Sequence, residues 1–221
     1  FAAASSIWAA VDAWQKCSDI QVLEESEDMV SIRYTYTAPA MPGLKTEVTY
    51  TVDSACRMKV DVHYFGMEGR PELPLLGLRF ATPVPVEQVV WVGLSGETYP
   101  DRKKGGIFGT YSEAPHISDY LVPQECSCHM DTHQMTLRLS NHALTIQKDE
   151  KPFAFSAIPY TPQQLSEAFH GDELPVPCRT VVTLCGAMRG VGGIDSWGAN
   201  VEEAYRVSTE KDIGFSFRFR L

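Results

Sequence analysis

No run of apolar residues approaches the roughly twenty needed to cross a bilayer as a helix, and no basic start followed by an apolar stretch marks a signal peptide. Basic residues do not cluster beyond Arg102-Lys103-Lys104, and the formal net charge is −9. Both features argue against nucleic acid or an anionic membrane as a partner. Six cysteines (Cys17, Cys56, Cys126, Cys128, Cys178 and Cys185) are too few and too irregularly spaced for a disulfide scaffold, so reduced thiols in a cytoplasmic setting are expected. There is no internal repeat, no low-complexity tract and no linker. An initiating methionine is also missing, and Phe1 in its place leads one to expect a fragment or a processed product.

With 221 residues, 44% apolar and 21% charged, the chain can bury a substantial core without metals or disulfides. Its helical signal is confined to two places. Ile7, Val11 and Trp14 recur at i, i+4 and i+7 behind Ser5 or Ser6, which predicts a helix from Ser5 to about Cys17. A shorter helix is predicted over residues 162–169, with Thr161 as N-cap and Pro162 at the first helical position. Elsewhere the period is two. Alternation predicts strands around Val22, from Val30 to Tyr36, Val48 to Val52, Met58 to Tyr64 and Leu76 to Phe80. Further strands are expected at residues 136–139, 143–147, 153–157, 180–184 and 213–221, and the unbroken run Val89-Val90-Trp91-Val92 suggests a strand buried on both faces. Residues 38–43 read as a loop, and residues 93–109 as a long one of the kind that carries function or touches a neighbour. The economical reading is one all-β domain, residues 1–221, of a dozen or more strands in two packed sheets.

One stretch stands apart, Gly190-Val191-Gly192-Gly193-Ile194-Asp195-Ser196-Trp197. Glycines can hold positive φ and let another backbone come close, and Asp195 and Ser196 can hydrogen-bond the nearby backbone. Such a loop either offers the Trp197 indole to a ligand or uses it as a buried pin for a hairpin. Glu97, Asp101 and Asp195 are the acids placed near such loops, but acids there more often cap turns or bind arginines than form a hydrolytic pair. Cys126, Cys128, His129 and His133 supply enough ligands for tetrahedral zinc, yet Cys-x-Cys followed at once by His crowds three of them. No metal site is expected. Histidines 63, 116, 129, 133, 142 and 170 raise acid–base sugar chemistry, without a motif to support it.

The run G-V-G-G-I-D-S-W resembles the G-x-G-G-x-D-S-W signature of large bacterial β-galactosidases of the lacZ type, glycoside hydrolase family 2. Thr98-Tyr99-Pro100-Asp101-Arg102 is similar to that family's N-Y-P-D-R, and Tyr120-Leu121-Val122-Pro123-Gln124-Glu125 to its Y-V-x-P-x-E-N-G. Phe155-Ser156-Ala157 through Tyr160-Thr161-Pro162-Gln163-Gln164-Leu165 resembles its F-S-x-x-x-Y-(S/T)-x-x-Q-L, and Trp8 to Trp14 stands where a W-x-x-x-W-like helix lies. Four motifs in the family's order cover nearly the whole chain. Departures fall at Ile194, where a second aspartate is frequent, at Gly93-Leu94-Ser95-Gly96 and at Glu125-Cys126-Ser127.

The resemblance implies the large antiparallel sandwich shared with galactose mutarotases, as the last domain or a separate small subunit of a β-galactosidase. It implies retaining hydrolysis of terminal β-galactosides such as lactose by glutamates of a (β/α)₈ barrel, and this chain lacks the eightfold alternation of such a barrel. Trp197 would be the stacking surface at the sugar site, supported by Gly192, Gly193, Asp195 and Ser196, while Tyr99, Asp101 and Arg102 would serve structure or an interface. The partners implied are the sugar and the barrel domain or large subunit, in a homo- or hetero-oligomer. Magnesium and sodium ions would be bound by other domains. The motif P-x-D-N-D-x-G that precedes the helix in the family would lie ahead of Phe1. A freestanding carbohydrate-binding module and an aldose epimerase-like enzyme of the same fold are the rival expectations.

Overall fold

The computed structural model describes residues 5–220. Among these residues, thirteen strands form two antiparallel sheets. The first has nine strands in the order β1-β2-β3-β4-β13-β10-β9-β6-β7, and the second has four in the order β5-β12-β11-β8. In chain order they are β1 (Lys16–Glu25), β2 (Met29–Ala38), β3 (Met41–Asp53), β4 (Met58–Tyr64), β5 (Leu75–Ala81), β6 (Gln88–Leu94), β7 (Phe108–Glu113), β8 (Cys128–Thr132), β9 (Gln134–Arg138), β10 (Ala143–Lys148), β11 (Phe153–Ile158), β12 (Val181–Met188) and β13 (Ile213–Arg220). The expected all-β, two-sheet class is what the strand order shows.

The core lies between the sheets because period-two strands turn one apolar face toward each other. Val60, Val62, Met135, Leu137, Ile146 and Phe217 of the large sheet meet Phe155, Val182 and Leu184 of the small one. Strand β13 is central, pairing with β4 on one side and β10 on the other, and Phe217 and Phe219 point inward as their alternation with Arg218 and Arg220 predicts. The small sheet lies against only part of the large one, with β5 beside β4 and β12 beside β13. On the β1–β3 side, Val30, Ile32, Tyr34, Tyr36, Tyr50 and Val52 line an open concavity of about 370 Å³.

Several expectations are corrected. Helix α1 is shorter than predicted, Ile7–Trp14, and Cys17 already belongs to β1. Its inward ring is Trp8, 8% exposed, with its Nε1 donating to the Pro71 carbonyl at 3.2 Å, whereas Trp14 is 66% exposed. The loop expected at residues 38–43 is a tight turn, with Met41 already buried in β3. Strand β6 is covered on one face only, Val89 and Trp91 inward and Val90 and Val92 half-buried, because the second sheet lies on one side. Strands β7 and β8 were not anticipated, since neither is rich in β-branched residues. Helix α2 (Pro162–Glu167) begins as expected. Thr161 Oγ1 accepts from the Gln164 amide at 3.2 Å and Gln164 Oε1 from the Thr161 amide at 2.9 Å, a reciprocal capping box.

Asp149 fastens the turn after β10 to the middle of the large sheet. Its Oδ1 accepts from Arg218 Nε at 2.8 Å, its Oδ2 from Ser216 Oγ at 3.0 Å, and Lys59 Nζ lies 3.1 Å away. Burial alone would raise its pKa, but the hydrogen bonds from Lys59, Arg218 and Ser216 outweigh it and hold the carboxyl below the usual range. A depressed folded pKa means stabilisation present above the unfolded value of roughly 3.9 and lost as pH falls through the lower folded value. Asp149→Asn is therefore expected to lower stability at pH 7 by about 1 to 2 kcal/mol. Denaturant midpoints for both proteins at pH 7 and pH 3 check this, and the gap should narrow at the lower pH.

Candidate functional site

Three of the motifs dispersed along the sequence, those at residues 98–102, 120–125 and 190–197, meet at one loop. Residues 95–107, between β6 and β7, are strapped to β8: the Thr98 amide donates to the Cys128 carbonyl at 2.7 Å, and the Met130 amide to Thr98 Oγ1 at 2.9 Å. Lys103 Nζ reaches Asp131 at 2.9 Å. Thus anchored, this loop holds two others through two acids four residues apart.

Glu97 gathers the connection between β7 and β8. Its Oε1 accepts from Tyr99 Oη at 2.5 Å, Tyr120 Oη at 3.4 Å and the Ser127 amide at 3.2 Å, and its Oε2 from Ser118 Oγ at 2.7 Å. Burial and the hydrogen bond to Glu97 push the Tyr99 phenol far above its ordinary pKa, so it stays a donor. Asp101 gathers the connection between β12 and β13. Its side chain is only 6% exposed, Oδ1 accepts from the Val191 amide at 2.9 Å, and Oδ2 from the Gly192 amide at 2.8 Å. Arg102 donates to the Gly192 carbonyl through Nη2. Its distance to the Asp101 carboxylate is 3.8 Å, so the pair works less on itself than on the glycine loop.

The glycines answer to this contact. A Cβ at Gly190 would lie 2.7 Å from Asp101 Cγ, and Gly192 and Gly193 adopt φ of +71° and +68°, which side chains rarely tolerate. On the far side, Arg189 reaches Glu72 at 3.3 Å and hydrogen-bonds Asn200, while Arg206 Nε donates to the Val201 carbonyl at 2.7 Å. Past the clamp, Asp195 Oδ1 accepts from the Trp197 amide at 2.9 Å and the Ala199 amide at 3.0 Å; these bonds hold its carboxyl below the usual carboxylate range. Ser196 and Ile194 are exposed, and Trp197 is 93% exposed. The buried-pin alternative for Trp197 therefore does not hold, because the indole stands in solvent on a loop held through its backbone.

Among the described residues, Cys126, Cys128, His129 and His133 do not form one cluster. Cys128 and His129 are neighbours on β8 and point to opposite faces, as successive strand residues must. Cys128 packs with Ala154 and Cys185, its thiol 3.7 Å from Met188 Sδ. His129 lies between Trp91 and Phe155, Nδ1 at 2.9 Å from the Gly96 carbonyl and Nε2 at 3.0 Å from Glu113. Cys126 packs on Ile158, Tyr160 and Leu165, and His133 meets Phe108 edge to face. His63 pairs with Asp212, and His170 with Glu173 three residues on. All six cysteines are unpaired. Glu97 as an organising acid and the strap of Arg189, Glu72 and Arg206 were missed by sequence reasoning. The acid two places before Tyr99-Pro100, close after glycines, was the available signal for the first.

These features define an all-β protein of two unequal sheets in which the β6–β7 loop holds the glycine loop that carries an exposed tryptophan. The chain belongs to the β-galactosidase small chain family, whose description matches residues 3–221. It is 40% identical to a β-galactosidase small subunit of Latilactobacillus sakei, covering 96% of this chain and 77% of that one. It is 32% identical to the β-galactosidase BgaC of Bifidobacterium adolescentis over 97% of this chain, and spans 21% of that protein. Among solved structures it is similar to a galactose mutarotase-like protein from Lactobacillus casei, with TM-score 0.43 and 10% identity over 91% of this chain and 72% of the other. No helix among the described residues is long and apolar enough to cross a membrane.

Proposed function

We propose that residues 1–221 act as one domain of a β-galactosidase of the lacZ type, glycoside hydrolase family 2, either as a small subunit or as the last part of a longer chain. In this reading the chain completes a galactoside site whose two glutamates, on a barrel domain or large subunit, carry out retaining hydrolysis of terminal β-D-galactosides such as lactose. Trp197 is the observation that carries the reading. An exposed indole on a loop fixed by Asp101, Arg102 and Asp195 is preorganised, and the C–H face of a pyranose can lie on it without needing hydrogen bonds. The acids of these loops support the division of labour: Glu97 accepts four hydrogen bonds and Asp101 two backbone amides, so both serve structure. Magnesium and sodium ions would sit on the other domains, and the assembly, a homo- or hetero-oligomer, would work in the cytoplasm on soluble sugar.

The test is reconstitution. Pure chain should not hydrolyse a chromogenic β-galactoside, and addition of a purified large subunit of the same enzyme should produce activity that neither part has alone. Turnover by the pure chain that survives Trp197→Ala and disappears with a single acid substitution overturns the reading.

A further inference from the structure

The geometry points to Asp101 and Arg102 as positioning residues that set the pose of Trp197, and so tune affinity for the sugar without touching it; this rests on the stacking role proposed for that ring. The path between them is short and can be followed atom by atom. Both Asp101 oxygens are engaged by consecutive loop amides, at 2.9 Å from Val191 and 2.8 Å from Gly192, and Arg102 takes the Gly192 carbonyl. Two adjacent amides converge on one carboxylate where the backbone curls back on itself, and Gly192 at φ +71° supplies a left-handed residue for that curl. Only Gly193 and Ile194 then intervene before Asp195, whose carboxylate fixes the Trp197 and Ala199 amides. Gly190 closes the other side. Its Cα passes so near Asp101 that an added Cβ would meet both carboxylate oxygens at 2.9 Å, so the loop and the acid fit each other in one arrangement.

The fixed points at residues 191–192 and 195–199 leave one two-residue step of freedom, so the place from which the indole projects depends on the β6–β7 loop, some 90 residues away in sequence. Asp101→Asn keeps the shape but turns an NH₂ donor toward one of the two amides, replacing an attraction by a donor–donor clash. The ring would remain and its pose would not.

The experiment uses the assembled enzyme and compares KM and kcat of wild type, Trp197→Ala, Asp101→Asn and the double variant, with Gly190→Ala and Arg102→Gln as independent approaches to the same clamp. Arg102→Gln removes the bonds to the Gly192 and Asp101 carbonyls from a half-exposed side chain and leaves the Asp101 carboxylate in place, so it keeps the test open if Asp101→Asn folds poorly. Asp101→Asn is expected to raise KM about three- to tenfold with kcat within about twofold, and to add nothing further once Trp197 is alanine, because a positioning residue has no effect when the group it positions is gone. Arg102→Gln and Gly190→Ala should shift KM in the same direction and lose their effect in the same background. If Trp197→Ala raises KM but the clamp variants do not, the positioning role is wrong and the stacking reading stands. If Trp197→Ala leaves KM unchanged, the stacking reading fails and this inference with it. Effects of the clamp variants that multiply undiminished on the Trp197→Ala background overturn the inference, since the clamp then acts on something else.

Discussion

Trp197→Ala in the assembled enzyme is expected to raise KM, or the Kd of a galactoside inhibitor, by about 1 to 3 kcal/mol, roughly five- to 150-fold, with Trp197→Phe retaining part of the binding. The melting temperature of the chain should barely move. The ring is 93% exposed, it belongs to none of the core clusters, and surface substitutions of that kind usually change stability by no more than about 0.5 kcal/mol. The combination is what discriminates. A ring that served packing would show the reverse, a large loss of melting temperature with a normal KM in the surviving protein. A normal KM beside an unchanged melting temperature would mean that the exposed indole serves some contact other than the sugar.

The largest stability effect is expected in the middle of the nine-stranded sheet. Phe217→Ala should destabilise the chain by about 3 to 5 kcal/mol, the range for emptying a fully covered aromatic site. Phe217 is entirely buried, with Phe219 5.4 Å away edge to face and Phe215 6.1 Å away on the same strand. Its strand is held by β4 and β10 on both sides, so the backbone cannot close in on the void, and the small sheet supplies the opposite wall through Val182, Leu184 and Phe155. Total stability of a domain is only about 5 to 15 kcal/mol, so this one change would remove a large share of it. Denaturant midpoints give the number, and a loss below about 1 kcal/mol would mean that β13 is not the centre of the core.

Resemblance and local pattern made much of this legible. The alternation of β13, the capping sequence ahead of α2 and the glycines of the Trp197 loop each state their local geometry in a few residues, because helix period, strand period and positive φ are short-range properties. The same alternation located most of the large sheet. Tyr99, Asp101 and Arg102 stand together in the sequence, but the loop that Asp101 meets was not legible there, since Gly190 and Gly192 lie about 90 residues further on.

What the sequence determined by itself is the class of each strong element and the absence of a barrel-like pattern. The tertiary structure alone decided which apolar residues are covered. Trp8 rather than Trp14 faces inward, and Val90 and Val92 are half open, because coverage depends on where the second sheet lies, and that sheet is assembled from strands as distant as β5 and β12. It separated Cys128 from His129, since neighbours on a strand face opposite ways once the strand exists, and β8 is a strand only through its pairing with β11. It also placed the Trp197 indole in solvent, because an aromatic residue is buried only if some other part of the chain comes to cover it, and nothing local in Asp195-Ser196-Trp197 specifies whether that happens.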